Sequence, residues 1–209
     1  STINSIKIKI KLLFLNVSLL CLSFLFSRWF YMKYLYFYSL SIFPPSGDVD
    51  FWIPFIQIII ITFFLYIFLL SFFTKKIYKE VIIGFYVLYF LVLIYLLFLK
   101  NIGIRGLESN PLSFLSDFIN GDAIIVMLNI IMFIPLGWIL SLNKKHLGIV
   151  VLGIWLIEIA QYVFHLGIFD VGDIIANAAG FVVGTIIMES LFNKFSFEIT
   201  SFSLNKKIR

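Results

Sequence analysis

Six apolar runs, each close to the length that crosses a lipid bilayer, constrain this chain more than any other feature. They cover about Lys11–Phe26, Phe51–Phe73, Glu80–Leu99, Ala123–Ser141, Leu147–Phe164 and Ile174–Phe192. A spanning helix needs roughly 20 residues, with a usual range of about 17–25. The first and fifth runs are near the short end. Apolar residues make up 62% of the chain and charged residues 13%. Soluble domains hold about 45–50% and about 25%, so a soluble core could not hide this surplus. The expected fold is an all-α, polytopic integral membrane bundle of about six transmembrane helices, forming one membrane domain over 1–209. No internal repeat is evident, so the inverted-repeat transporter pattern lacks support.

Composition excludes several classes of function. Cys21 is the single cysteine, so neither an internal disulfide nor a cysteine-pair zinc motif can form. His146 and His165 are the two histidines, too few for a histidine-rich metal site. The formal charge is +5, yet the basic residues flank apolar runs instead of clustering on one face. Nucleic acid is therefore not an expected partner; the lipid bilayer is.

The basic residues also set an orientation, because cytoplasmic loops carry the excess of Lys and Arg. With the N-terminus inside, Lys7, Lys9, Lys11, Lys75, Lys76, Lys79, Lys144, Lys145, Lys194, Lys206, Lys207 and Arg209 fall inside. Arg28, Lys33, Lys100 and Arg105 fall outside. Both termini are expected in the cytoplasm. The first run has the basic start of a signal peptide, but no small-residue cleavage site follows it; it is expected to be retained.

The two longer outer segments differ in chemistry. About Ser27–Asp50 is aromatic, with Trp29, Phe30, Tyr31, Tyr34, Tyr36, Phe37 and Tyr38, and Pro44-Pro45-Ser46-Gly47 then breaks it. It is expected to lie at headgroup level, where Trp and Tyr collect. Lys100–Asp122 carries Glu108, Asp117 and Asp122 beside Lys100 and Arg105. It is polar and punctuated by glycine, and is expected to be an ordered loop.

Polar residues inside spans default to functional candidates that face the bundle interior. Asn16, Gln57 and Thr62 are isolated and uncharged, and interhelical hydrogen bonding suffices for them. The last three runs are richer. The fourth holds Asn129, Pro135 and Gly137; Pro135 lacks an N–H and clashes with the carbonyl of Ile131. The fifth holds Glu158 and Gln161, which share a helical face that His165 extends. The sixth is preceded by Asp170 and carries Asp173 and Asn177 at i, i+4 spacing. Glu158 lies eleven residues beyond Leu147, or about 16 Å along a helix. That is past the middle of a hydrocarbon core of roughly 30 Å. The three helices thus place their polar side chains toward the outer leaflet, with Arg105 and Asp170 above, and a polar cavity open to the outer face is expected. Arg105 is the outer arginine best placed to pair with Glu158. Ala176, Gly180 and Gly184 recur every four residues, the spacing that lets helix backbones approach closely.

These residues resemble the VanZ-like family of bacterial membrane proteins. Arg105 and Pro111 resemble its Arg and Pro before the Asn-containing helix. Asn129, Phe133, Pro135 and Gly137 match its N-x-x-x-F-x-P-x-G helix, and Glu158 with Gln161 its E-x-x-Q. Asp170, Asp173, Asn177, Gly180 and Gly184 match its closing D-x-x-D-x-x-x-N-x-x-G-x-x-x-G run. Glu108 stands where the family's Asn is expected, and Gly167 where some members carry a basic residue. The matched region is 101–192, whereas helices in 1–100 rest on hydropathy alone. The resemblance implies a bacterial cytoplasmic-membrane protein of the cell envelope, because the family's prototype is associated with low-level resistance to teicoplanin, a lipoglycopeptide acting outside the membrane.

The expected function is binding or modification of an envelope lipid or lipid-linked cell-wall precursor. In an enzymatic version Glu158 and Asp173 act as acid and base. Alternatively they hold a divalent cation together with Asp170. In a binding version Arg105 contacts an anionic headgroup, and Asn129, Gln161, His165, Asp170 and Asn177 line the site. Pro111, Pro135, Gly137, Ala176, Gly180 and Gly184 are structural. The alternative is a structural or interaction protein without catalysis; a transporter has less support, because no inner-leaflet polar set completes a pathway.

Overall fold

The computed structural model describes residues 2–44, 49–121 and 123–201, without side-chain detail for 2–3 and 49–50. Pro45, Ser46, Gly47, Asp122, Lys206, Lys207 and Arg209 lie outside the described residues, and the Asp50 side chain likewise. Two compact units make up the chain: Ser1–Ile82 with Phe197–Arg209, and Ile83–Ser196.

In the first unit, α1 (Thr2–Phe30) passes through a π-helical turn at Tyr31–Leu35 into α2 (Tyr36–Ile42). The aromatic stretch is therefore no separate segment. It prolongs the first span into one apolar helix, Asn4–Ile42, of 39 residues, about 58 Å long at 1.5 Å per residue. The antiparallel partner of α1 is α3 (Val49–Thr74). Polar side chains join them: Tyr66 Oη donates to Asn16 Oδ1 at 2.6 Å. Gln57 Oε1 accepts from Tyr31 Oη at 2.6 Å and from Ser39 Oγ at 2.7 Å. Thr62 differs from the expectation; its hydroxyl donates to the Ile58 carbonyl of its own helix. Beyond α3, β1 (Lys76–Tyr78) pairs in parallel with β4 (Glu198–Thr200).

The helix α4 (Lys79–Ile94), which belongs to the second unit from Ile83 on, ends in a π-helical turn, Tyr95–Leu99, and leads to β2 (Ile104–Glu108). The short α5 (Ser113–Asn120) and then α6 (Ala123–Gly137) follow. Next come α7 (Lys144–Val163), β3 (Leu166–Asp170) and α8 (Val171–Phe195). Leu93, Leu97, Phe133, Val150, Ile154 and Phe181 form the buried core, one or two from each of the four long segments. Many other apolar side chains point outward, among them Leu91, Ile125, Leu152 and Ile186. An apolar exterior this extensive suits a hydrocarbon solvent, not water.

Among the described residues five helices are long and apolar enough to cross a membrane. The fourth apolar run is the exception. It ends at Gly137, not Ser141, and α6 has 15 residues, about 22 Å. Pro135 cannot donate to Ile131, and the chain then tightens, with Trp138 N–H on the Pro135 carbonyl and Ile139 N–H on Leu136. Side chains from α4 occupy the carbonyls around this point. Tyr86 Oη donates to Pro135 O and Tyr89 Oη to Met132 O, each at 2.9 Å.

The closest contact in the unit is α6 against α8, set by three glycines. A Cβ on Gly180 would fall on the Ile130 carbonyl, one on Gly184 on the Ile134 carbonyl, and one on Gly137 on the Phe181 carbonyl. Gly153 on α7 has open space where a Cβ would go. Gly180→Val and Gly184→Val should each cost at least about 1–3 kcal/mol, because backbone cannot yield as side chains do. Gly153→Ala should be neutral or gain up to about 1 kcal/mol from helix propensity. Thermal unfolding of the detergent-solubilised protein measures all three.

Candidate functional site

The sequence-selected polar residues converge at one end of the second unit, where two loop strands pair. β2 runs parallel to β3 in the register Ile104↔Leu166, Arg105↔Gly167, Gly106↔Ile168, Leu107↔Phe169 and Glu108↔Asp170. Parallel strands need a long crossover; here α5, α6 and α7 supply it. Gly103 N–H on the His165 carbonyl, at 2.7 Å, adds to the ladder at its start. His165 itself has φ +60°, the left-handed turn that ends α7 and aims the chain into β3. Glycine is the usual residue there.

The ladder gathers the exposed part of the site. Arg105 Nη1 lies 3.4 Å from His165 Nε2, and its guanidinium stacks 4.2 Å from the centroid of the Tyr162 ring. Arginine only donates, so that contact requires His165 Nε2 as acceptor. Both Arg105 and His165 are exposed. Among the described residues Arg105 makes no ion pair with Glu158, the structural alternative for that carboxyl group. Its neighbours are instead Tyr162 and His165.

Beneath the ladder, protein donors occupy the acidic side chains. Glu158 is 3% exposed, and its Oε2 accepts the Asp170 backbone N–H at 3.1 Å. Asp170 caps α8: its Oδ1 accepts Gly172 N–H and the Ser113 hydroxyl, each at 2.7 Å. Asp173, in the first turn of α8, accepts from Asn129 Nδ2 of α6 at 2.5 Å. Acidic residues at a helix N-terminus meet the positive end of its dipole. Asp170 and Asp173 lie within Coulombic range of Glu158. Even so, no group of three His, Cys, Asp or Glu among the described residues is arranged to hold a metal ion. Each of the three carboxyl groups accepts a protein hydrogen bond.

The remaining candidates take separate roles. Gln161 faces the third span, its Nε2 donating to the Leu97 carbonyl at 2.7 Å within the π-helical turn. Asn177 is 2% exposed, and its Oδ1 has no partner among the described residues. Pro111 is exposed and occupies the second position of a turn closed by Ser113 N–H on Asn110 O. Glu108 Oε1 accepts Asn110 N–H at 2.8 Å, which holds the same turn. Ala176 is buried one turn before Gly180 on α8.

Two hollows are lined by other residues. One, of about 280 Å³, is at the far end of α6 and α8, beside Trp138, Thr185 and Glu189. Another, of about 390 Å³, is on α1 and the π turn after it.

Sequence reasoning missed Ser113, Tyr162 and Gly172. A Cβ on Gly172 would fall on the Ser113 hydroxyl, so this glycine lets α5 dock on α8. Ser113 and Asp170 are 57 positions apart, and no local pattern links them. Tyr162, next to Gln161, carried an available signal as an aromatic beside the polar face.

The architecture is that of an integral membrane helical bundle with a polar network and a strand ladder at one end. The chain matches the VanZ/LLP1 family over residues 51–193, and it belongs to that family. The match begins fifty residues before the region 101–192 and takes in the second and third apolar runs. No curated protein and no solved structure matches the chain.

The hydrogen bond from Asp170 to Glu158 gives a direct test. Glu158→Gln keeps an acceptor and should change stability by less than about 1 kcal/mol, whereas Glu158→Leu strands a buried N–H and should cost about 1–3 kcal/mol. Unfolding in detergent, followed by circular dichroism, reads the difference.

Proposed function

We propose that the protein binds an envelope lipid or lipid-linked cell-wall precursor at the outer face of a bacterial cytoplasmic membrane, and that it thereby lowers susceptibility to teicoplanin-type lipoglycopeptides. The observation that carries this reading is the exposed Arg105 guanidinium, seated on Tyr162 and beside His165 at the end where the motif residues meet. It is a cationic donor set with free directions, suited to a phosphate or carboxylate. The carboxylates below already accept protein hydrogen bonds. That favours binding through Arg105 and His165 over acid–base catalysis by Glu158 and Asp173. In this reading Asn129, Asp170 and Asn177 hold the strand end in shape, and Gln161 fixes the third span beside it.

The orientation belongs to the same proposal. Lys75, Lys76, Lys79, Lys144 and Lys145 lie in the connections assigned to the cytoplasm. A reporter that fluoresces only in the cytoplasm, fused after Arg209, should be bright. Alkaline phosphatase fused there should be inactive. The reverse result would invert the site to the inner face.

Teicoplanin susceptibility in a low-background Gram-positive host tests the function, with membrane levels matched by immunoblot. Wild type should protect. Arg105→Ala should lose protection while remaining folded, and Glu158→Gln and Asp173→Asn should retain most of it. Loss in the Glu158 and Asp173 variants alone would favour catalysis. Equal protection by all four proteins would favour the second reading, in which the polar network is architectural; the internally satisfied hydrogen bonds of Asp170 and Asp173 support that reading.

A further inference from the structure

The long first helix carries a second cationic surface, in the other unit. Leu12–Ser27 is an uncharged stretch between Lys11 and Arg28, about 24 Å long as a helix. The stems of Lys and Arg extend that reach toward the roughly 30 Å of a hydrocarbon core. If the helix crosses, Arg28 and Lys33 therefore lie at headgroup depth. The π-helical turn Tyr31–Leu35 begins there. A π turn adds a residue and re-aims the side chains around it, and such turns are frequent at functional sites. Tyr31, 1% exposed and bonded to Gln57, holds the inward side. On the outward side Arg28, Trp29, Met32 and Lys33 line a shallow, open hollow of about 390 Å³. Lys33 Nζ is 5.4 Å from the centroids of both the Trp29 and Tyr34 rings, which positions the ammonium beside the hollow. Arg28 is exposed.

We propose that Arg28 and Lys33, with Trp29 and Met32 between them, form a docking site for the phosphate of an anionic phospholipid. The two cations match the phosphate, and the indole and thioether match the glycerol and upper acyl region. The site is independent of the Arg105 reading.

The full chain with Trp52, Trp138 and Trp155 changed to Phe retains Trp29 as its one tryptophan, excited selectively at the red edge of its absorption. In vesicles of brominated phosphatidylglycerol and phosphatidylcholine, quenching should show a preference for the anionic lipid of roughly five-fold or more. Arg28→Ala/Lys33→Ala should bring the ratio near one, and about 1 M salt should reduce it. Equal quenching by the two lipids in the parent protein overturns the proposal, as does a preference that survives the double substitution. Native mass spectrometry of protein with all four tryptophans is the second measurement. Fewer retained phosphatidylglycerol molecules in the double variant, with Arg105→Ala unchanged, supports the site; no difference between the double variant and wild type overturns it.

Discussion

The contact between α6 and α8 is the constraint on which the motif-bearing unit depends. Gly180 and Gly184 present no side chain where the Ile130 and Ile134 carbonyls approach. Lipid tails are as apolar as leucine, so helices in a bilayer associate through close packing and hydrogen bonds, not through exclusion of water. The close approach has chemical consequences one and two turns away. Asn129 of α6 reaches Asp173 of α8, and Asn177, between Asp173 and Gly180 on the helix, becomes buried. A side chain at position 180 would separate the backbones and lengthen the Asn129–Asp173 bond. The polar pair and the glycines are one device.

A second constraint is that loop backbone near the hydrocarbon must find partners. Two parallel strand pairs provide them. In the second unit the β2–β3 ladder joins segments that lie about sixty residues apart and sets their register. That register places Glu108 opposite Asp170 and Arg105 opposite Gly167. A Cβ at Gly167 would meet Gln161 only at ordinary contact distance, so glycine is not required there. The ladder also brings the Asp170 N–H onto Glu158, which gives a buried carboxylate a donor with no help from arginine.

The spans were legible because hydropathy is a local property, and the α6–α8 stripe because its period is helical. The pairing of Asn129 with Asp173 was implicit in their common depth. The ladder was not legible: Ile104–Glu108 and Leu166–Asp170 are five residues each, too short and too Gly-interrupted to signal strands. Assigning Arg105 to Glu158 followed from depth alone, since the ladder that fixes its neighbours was unseen. The continuation of the first helix to Ile42 was hidden for a related reason. Arg28 and Lys33 read as the end of a span, although a helix need not stop where the hydrocarbon does.

These geometries separate two kinds of polar group within the same motif set. Asp170, Asp173 and Gln161 have found protein partners, and Glu158 has one in the backbone. Changing them alters shape first and chemistry through shape. Arg105 and His165 touch each other through a long contact and remain exposed, so an incoming anion would add bonds without breaking strong ones. Low cost of engagement is what a binding surface requires. Glu158, by contrast, is buried and already accepts the Asp170 N–H, and the strand end above it is tied by the ladder and the Ser113–Asp170 bond. That difference in exposure is the physical reason for proposing ligand recognition at the exposed pair and structural duty for the buried carboxyl groups.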